Sequence, residues 1–194
     1  MQHPNQKNIE LMSNSTIRYS FLLGMIALAV VSRILPHPHN FTPIGAVALF
    51  GAAYFTRQWV AMLAPFIALW LSDLFINNVI YGQYYDGFQW FGSLWVYGAF
   101  ALISLLGMAA LRRVSAARVG GSAWAASVLF FIVTNFGVWA SGGMYPKNTE
   151  GLIACFVAGL PFFGNTIMGD LFYSLVLFGA FEWAQARKLI PAAA

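Results

Sequence analysis

The chain has 194 residues, of which 60% are hydrophobic and 8% charged, with a net charge of +4 and a mean hydropathy of +0.69. Soluble domains carry about 25% charged residues, so this composition excludes a water-soluble globule and points to a membrane protein. The apolar runs are continuous and rich in Leu, Ala, Phe and Gly rather than alternating, which favours helices over a porin-like barrel.

Residues 1–18 are polar and read as a disordered N-terminal tail; no small-x-small site follows the next apolar run, so a cleaved leader is not expected. Residues 19–35 form a first span flanked by Arg18 and Arg33, whose long side chains can snorkel to opposite interfaces. The Pro- and His-rich stretch PHPHNFTP follows, then a short apolar segment at 43–55 and a third at 59–75. Residues 91–111 and 123–139 give a fourth and a fifth span, and 166–184 the sixth. Residues 151–160 are too short to cross at about 1.5 Å per residue and stop at Pro161, so they read as a half-helix or a tilted helical loop. The reading is thus all-α: a single six-helix transmembrane bundle over residues 19–186, with a short C-terminal tail at 187–194 and no internal repeat.

Six crossings with both termini inside place Lys7, Arg18, Arg57, Arg112, Arg113, Arg118, Arg187 and Lys188 on the inner side and only Arg33 and Lys147 outside. That asymmetry follows the positive-inside rule and predicts a multi-pass protein of the bacterial inner membrane, N-in and C-in. Basic residues spread in this way form no nucleic-acid patch, so no nucleic-acid partner is expected and the lipid bilayer is. Gly24, Gly45, Ala48, Gly51 and Ala52 put small residues on the first two segments, suiting either internal packing or a docking face for a membrane partner.

Polar chemistry collects in the three outer connections. They hold His37, His39 and Asn40; Asn77, Asn78, Tyr81, Gln83, Tyr84, Tyr85, Asp86 and Trp90; and Tyr145 and Asn148. Tyrosines beside amides exceed what an interfacial aromatic belt needs, although a belt also explains them. Within the spans lie Asp73, Asn135 and Asp170, each costly at depth unless paired or hydrated. The six-span topology brings all three to the outer third of the bundle. They form either an outward-facing, partly hydrated cavity roofed by the loops or a set of caps and interhelical hydrogen bonds.

Catalytic and cofactor motifs are missing: no HExxH, GxSxG, P-loop or Cys/His array occurs. A lone cysteine, Cys155, excludes an internal disulfide and a cysteine-based zinc cluster. No enzyme activity, catalytic residue, bound metal or resident cofactor is expected, and any ATP-driven step needs another subunit. His37 and His39 sit in a stiff x-Pro-x-Pro-like stretch, and either contact a ligand or hydrogen-bond the loop.

The stretches RILPHPHNFTPIGAVALFGAAYF, FFIVTNFGVWASGGMYPKNTEGLIACF and LPFFGNTIMGDLFYSLVLFGAFE resemble a bacterial family of small, functionally uncharacterised integral membrane proteins. That family is similar to the substrate-binding S components of energy-coupling factor (ECF) transporters in size, six spans and outer loops over a cavity. The resemblance implies capture of a vitamin- or cofactor-like small molecule from outside, with a transmembrane coupling protein and ATPase subunits helping to release it inward. The motif residues are His37, Asn40, Phe41 and Thr42; Thr134, Asn135, Tyr145 and Pro146; and Asn165, Thr166 and Asp170. Two departures leave the ligand open: His39 stands where the family pattern has proline, and the second loop is unusually long and Tyr-rich. The expected substrate-binding set is His37, His39, Asn40, Asp73, Tyr84, Asn135, Tyr145, Asn165 and Asp170. The alternative is a membrane scaffold or assembly protein whose polar residues are purely structural.

Overall fold

A computed structural model describes the backbone of residues 4–191 and the side chains from Ser15 to Pro191. Six α-helices account for most of it: α1 Pro4–Val31, α2 Ile44–Tyr54, α3 Gln58–Phe75, α4 Leu94–Ala110, α5 Ala116–Ser141 and α6 Thr149–Ala186. The backbone is already helical at Pro4, so residues 4–18 of the polar stretch extend the first helix instead of forming a disordered tail, and residues 1–3 lie outside the described residues. Residues 192–194 of the expected C-terminal tail lie outside the described residues.

Local chemistry sets the helix ends. After α1, a 3-10 turn at Ser32–Ile34 leads to Leu35, which is extended at φ −73° and ψ 150°, because a residue before proline is pushed out of the α region. Ser115 caps α5 by accepting a hydrogen bond from the Arg118 N–H, and Asn148 caps α6 by accepting one from the Gly151 N–H. At the C-terminus of α5, the Lys147 ammonium donates to the carbonyls of Trp139 and Gly142. α3 continues through a π-helical turn at Ile76–Ile80, and Tyr81 N–H bonds back to the Ile76 carbonyl.

One expectation fails clearly. The separate half-helix at 151–160 and the last span are a single helix, α6, of 38 residues running through Pro161. Proline removes one backbone bond and crowds the preceding turn, but the flanking turns of α6 pack along α5, where Phe131 meets Phe156 and Phe163 at ring distances of 5.6 and 4.7 Å. Tertiary packing on both sides of the proline outweighs the break.

Helix α2 is the hub. Every residue from Ile44 to Gly51 is buried, and it contacts all five other helices. Its small residues are spent inside the bundle: a Cβ on Gly51 would lie 3.4 Å from the Ala61 carbonyl, and one on Gly107 of α4 would lie 2.7 Å from the Ala52 Cβ. The docking-face reading of α2 is therefore replaced by internal packing. Below it, Phe50, Tyr54, Phe178 and Phe181 form an aromatic cluster with ring centroids 4.2–5.6 Å apart.

The outside is the inverse of a soluble protein. Trp59, Leu63, Ile67 and Leu71 are all exposed at every fourth residue of α3, making an apolar stripe along one helix face. Four stretches, 15–34, 58–80, 116–141 and 149–186, are long and apolar enough to cross a membrane, whereas α2 and α4 are apolar but shorter. At about 1.5 Å per residue α2 is roughly 16 Å long, half a hydrocarbon core.

Candidate functional site

The C-termini of α1, α3 and α5 and the N-termini of α2, α4 and α6 meet at one end of the bundle with the three long connections. Three chambers lie beneath these connections. One of about 180 Å³ is lined by Arg33, Asn40, Thr42, Thr166 and Asp170 over an apolar floor. A second of about 230 Å³ adds Thr134 and Asn135, and shares Asn40, Val96, Phe130 and Thr166 with the first. A third of about 380 Å³, lined by Asp73, Asn77, Tyr85 and Gln89, shares Arg33 and Val96 with the first. Val96 of α4 borders all three.

Asp170 is the most constrained polar group. Its Oδ2 accepts a hydrogen bond from Ser127 Oγ at 2.7 Å, and the backbone of Ala46 also bonds to the carboxylate. Ala46 lies in the first turn of α2, whose N-cap, Pro43, has no side-chain cap. A carboxylate from α6 thus satisfies the α2 N-terminus, where free N–H groups and the helix dipole favour negative charge. Gly45 makes room for it: a Cβ there would overlap Asp170 Oδ1.

Asp73 is held differently. Arg33 Nη1 lies 3.0 Å from Asp73 Oδ1, with the two side chains 15% and 12% exposed. Arg33 also donates to Ser72 Oγ, and Tyr97 OH donates to Asp73 Oδ2 at 3.4 Å. A Cβ on Gly92 would sit 2.7 Å from that oxygen. The pair joins the turn after α1 to α3; Arg33 lines both the first and the third chambers, and Asp73 the third alone.

Asn135 donates from Nδ2 to the Phe131 carbonyl at 2.8 Å, and Cys155 Sγ donates to the Asn135 carbonyl. Gly159 is required beside it, since a Cβ would collide with the amide. Cys155 is engaged in this contact and lines none of the three chambers.

The first loop is built as a turn. Phe41 N–H bonds to the Pro38 carbonyl at 3.0 Å, and Asn40 has φ +65°, a conformation asparagine tolerates better than most side chains. His37 points both ring nitrogens at backbone carbonyls, those of Pro38 and Arg33. Asn165 donates to the His39 carbonyl, and Gly169 lets the Phe41–Thr42 backbone lie against α6, where a Cβ would sit 3.0 Å from Thr42 N.

Of the expected residues, Asn40 and Asp170 therefore share one chamber, Asn40 and Asn135 a second, and Asp73 borders the third. His37 and Asn165 fasten the loop instead of facing these chambers, and His39 packs edge-on against Phe162. Tyr84 stands 72% exposed in the second loop, and Tyr145 lines none of the three chambers. That loop is clamped by Asn78, which bonds the Leu74 and Gln89 carbonyls and accepts from Gln89 N–H. Arg33, Gly45 and Ser127 are the important residues the sequence reading missed as site residues. For Arg33 a signal existed, since a lone cation and an intramembrane Asp73 need each other.

At the other end a groove of about 450 Å³ runs between the start of α5 and the lower part of α6, lined mostly by apolar side chains with Ser115, Ser174 and Glu182. It is larger than the Asp170 chamber, but no set of polar groups converges in it. Among the described residues no group of three or more His, Cys, Asp or Glu could hold a metal ion.

An apolar-surfaced helical bundle with a few polar side chains gathered in chambers at one end defines the class: a helical membrane protein. More particularly, the chain belongs to the Family of unknown function (DUF6580), which matches it over residues 13–193. No curated protein and no solved structure matches the chain.

Proposed function

We propose that this protein is an S-component-like membrane subunit that captures a small organic solute, vitamin- or cofactor-like in size, at the loop-bearing end for uptake. The observation that carries the reading is the cluster of three chambers around Val96, walled by Arg33, Asn40, Asn135, Thr166 and Asp170 under a stiff loop. Concave, mostly apolar chambers with a few convergent polar groups are the usual form of small-molecule sites. A turn pinned by His37 and Asn165 lowers the ordering cost of binding.

In this reading all six helices cross, α2 and α4 being the short ones, and the loop-bearing end faces outward with both termini inside. The protein sits in a bacterial inner membrane and is not an enzyme. It holds no resident cofactor and no nucleic acid. Having no nucleotide-binding motif of its own, it works with a transmembrane coupling protein and ATPase subunits. Mass spectrometry of solutes released from the protein purified in mild detergent tests the reading directly: a stoichiometric small molecule supports it.

A second reading, a membrane scaffold or assembly protein, is favoured by one observation: Asp170 is already engaged by Ser127 and the α2 N-terminus. Solute-free protein whose stability no small molecule changes is the outcome that reading requires.

A further inference from the structure

We propose that the Asp170 chamber receives a zwitterion of about amino-acid size with an apolar body, its acidic group on Arg33 and its donor group on Asp170. The proposal rests on the solute-capture reading above and adds the chemical class of the solute. The chamber walls contain one cation, Arg33, and one carboxylate, Asp170, and the polar remainder is neutral: Asn40, Thr42 and Thr166. A purely anionic solute faces Asp170 unpaired, and a purely cationic one faces Arg33. A solute carrying both charges satisfies both walls at once.

The donor and acceptor counts leave room for it. Arg33 uses Nη1 on Ser72 and Asp73, while its Nε and Nη2 make no hydrogen bond to the described residues. A guanidinium has five N–H donors in a planar fork suited to a carboxylate. Asp170 accepts from Ser127 and from Ala46, and a carboxylate has about four acceptor positions. Two remain for an ammonium or amine. The rest of the wall is apolar, with Leu69, Val96, Phe100, Ile103 and Phe130, which disfavours a sugar or another molecule polar all round. The volume of about 180 Å³ suits a compact molecule.

Asp73 gives the acidic end a further role. The solute carboxylate and Asp73 would share one guanidinium, since Arg33 lines both the third chamber and the Asp170 chamber. Arg33 and Asp73 both line the outermost of the three chambers.

The test is thermal unfolding of the full chain in nanodiscs with four pools at millimolar concentration. These are apolar α-amino acids, the matching carboxylic acids without the amine, the matching amines without the acid, and neutral nucleosides with sugars. The expected result is a rise of several degrees in Tm with the amino-acid pool, smaller or absent with either single-charge pool. For the best member of the pool, Arg33→Gln should weaken binding by about tenfold or more, the loss expected for a hydrogen bond between charged groups. Equal or larger shifts with the acids, amines or neutral solutes overturn the zwitterion proposal while leaving solute capture standing. Full retention of amino-acid binding in Arg33→Gln also overturns it; because the pools are compared on the native chain, a poorly folding variant does not spoil the decision. No shift from any pool sinks solute capture in this chamber and the zwitterion proposal with it.

Discussion

Gly45 and Asp170, 125 residues apart in sequence, are packed so closely that a methyl group on Gly45 would overlap the Asp170 carboxylate. The carboxylate sits on the first turn of α2, bonded to Ala46 and to Ser127 of α5. One contact therefore ties three helices together at the wall of the chamber. Gly45→Ala should force either the carboxylate or the α2 backbone to move, at an overpacking cost of about 1–3 kcal/mol. Gly24→Ala, on α1 with open space around it, should be neutral or slightly stabilising. Thermal unfolding of both variants in the same detergent checks the contrast, and equal midpoints would refute the contact.

Removing the carboxylate should cost stability even without a ligand. Asp170→Leu strands a first-turn N–H of α2, worth about 1–3 kcal/mol when buried and unpaired, while the Ser127 hydroxyl falls back on the Ala123 carbonyl 3.0 Å away. Asp170→Asn keeps one acceptor oxygen and should lose less. The double variant Asp170→Leu with Ser127→Ala should be less destabilised than the sum of the singles, because they share one bond. Strict additivity in a double-mutant cycle would mean that Ser127 and Asp170 do not interact.

Arg33 and Asp73 form an ion pair in which each is the other's main charge partner. Breaking a largely buried pair from one side leaves an uncompensated charge and costs about 3–5 kcal/mol. Asp73→Ala should therefore unfold well below the native chain, whereas Arg33→Met with Asp73→Leu should recover most of the loss. The comparison needs only apo protein. Similar midpoints for single and double variants would show that the pair is exposed and weak.

Asn40 separates a turn role from a ligand role. Its φ of +65° suits glycine as well as asparagine, so Asn40→Gly should change stability by a few tenths of a kcal/mol at most. Asn40→Val should cost more, since β-branched residues resist that conformation. If the amide meets the solute, Asn40→Gly retains the fold but lowers the amount of co-purifying small molecule seen by mass spectrometry. An unchanged solute load assigns Asn40 to the turn alone.

Orientation can be read with single cysteines on a Cys155→Ser background. Cysteines at Gln83 and Asn148, both exposed at the loop-bearing end, should react with an impermeant thiol reagent in intact cells. One at Ser115, in the connection between α4 and α5 at the opposite end, should not. Labelling at Ser115 alone would invert the topology and turn the chambers toward the cytoplasm.

The sequence by itself determined the solvent this protein lives in and the approximate place of its helices. Continuous apolar runs can be satisfied only by helices whose backbones bond internally, so the segments at 43–55, 59–75 and 91–111 correspond to helices α2 to α4 within a few residues, while α5 begins at Ala116, ahead of the segment at 123–139. It also drew attention to Asp73, Asn135 and Asp170, because intramembrane polar groups are conspicuous in such a background. What those groups touch was decided only by tertiary structure. Arg33 read as an interfacial anchor until the turn after α1 was brought against α3, and Ser127 was one polar residue among many until α5 and α6 set it 2.7 Å from Asp170. Pro161 read as a helix stop, a local rule that packing on both sides overrode. Hydrogen bonds and ion pairs between helices depend on azimuth and depth to within about an ångström. Hydropathy fixes neither, because every face of a membrane helix is apolar and only the packed bundle distinguishes them.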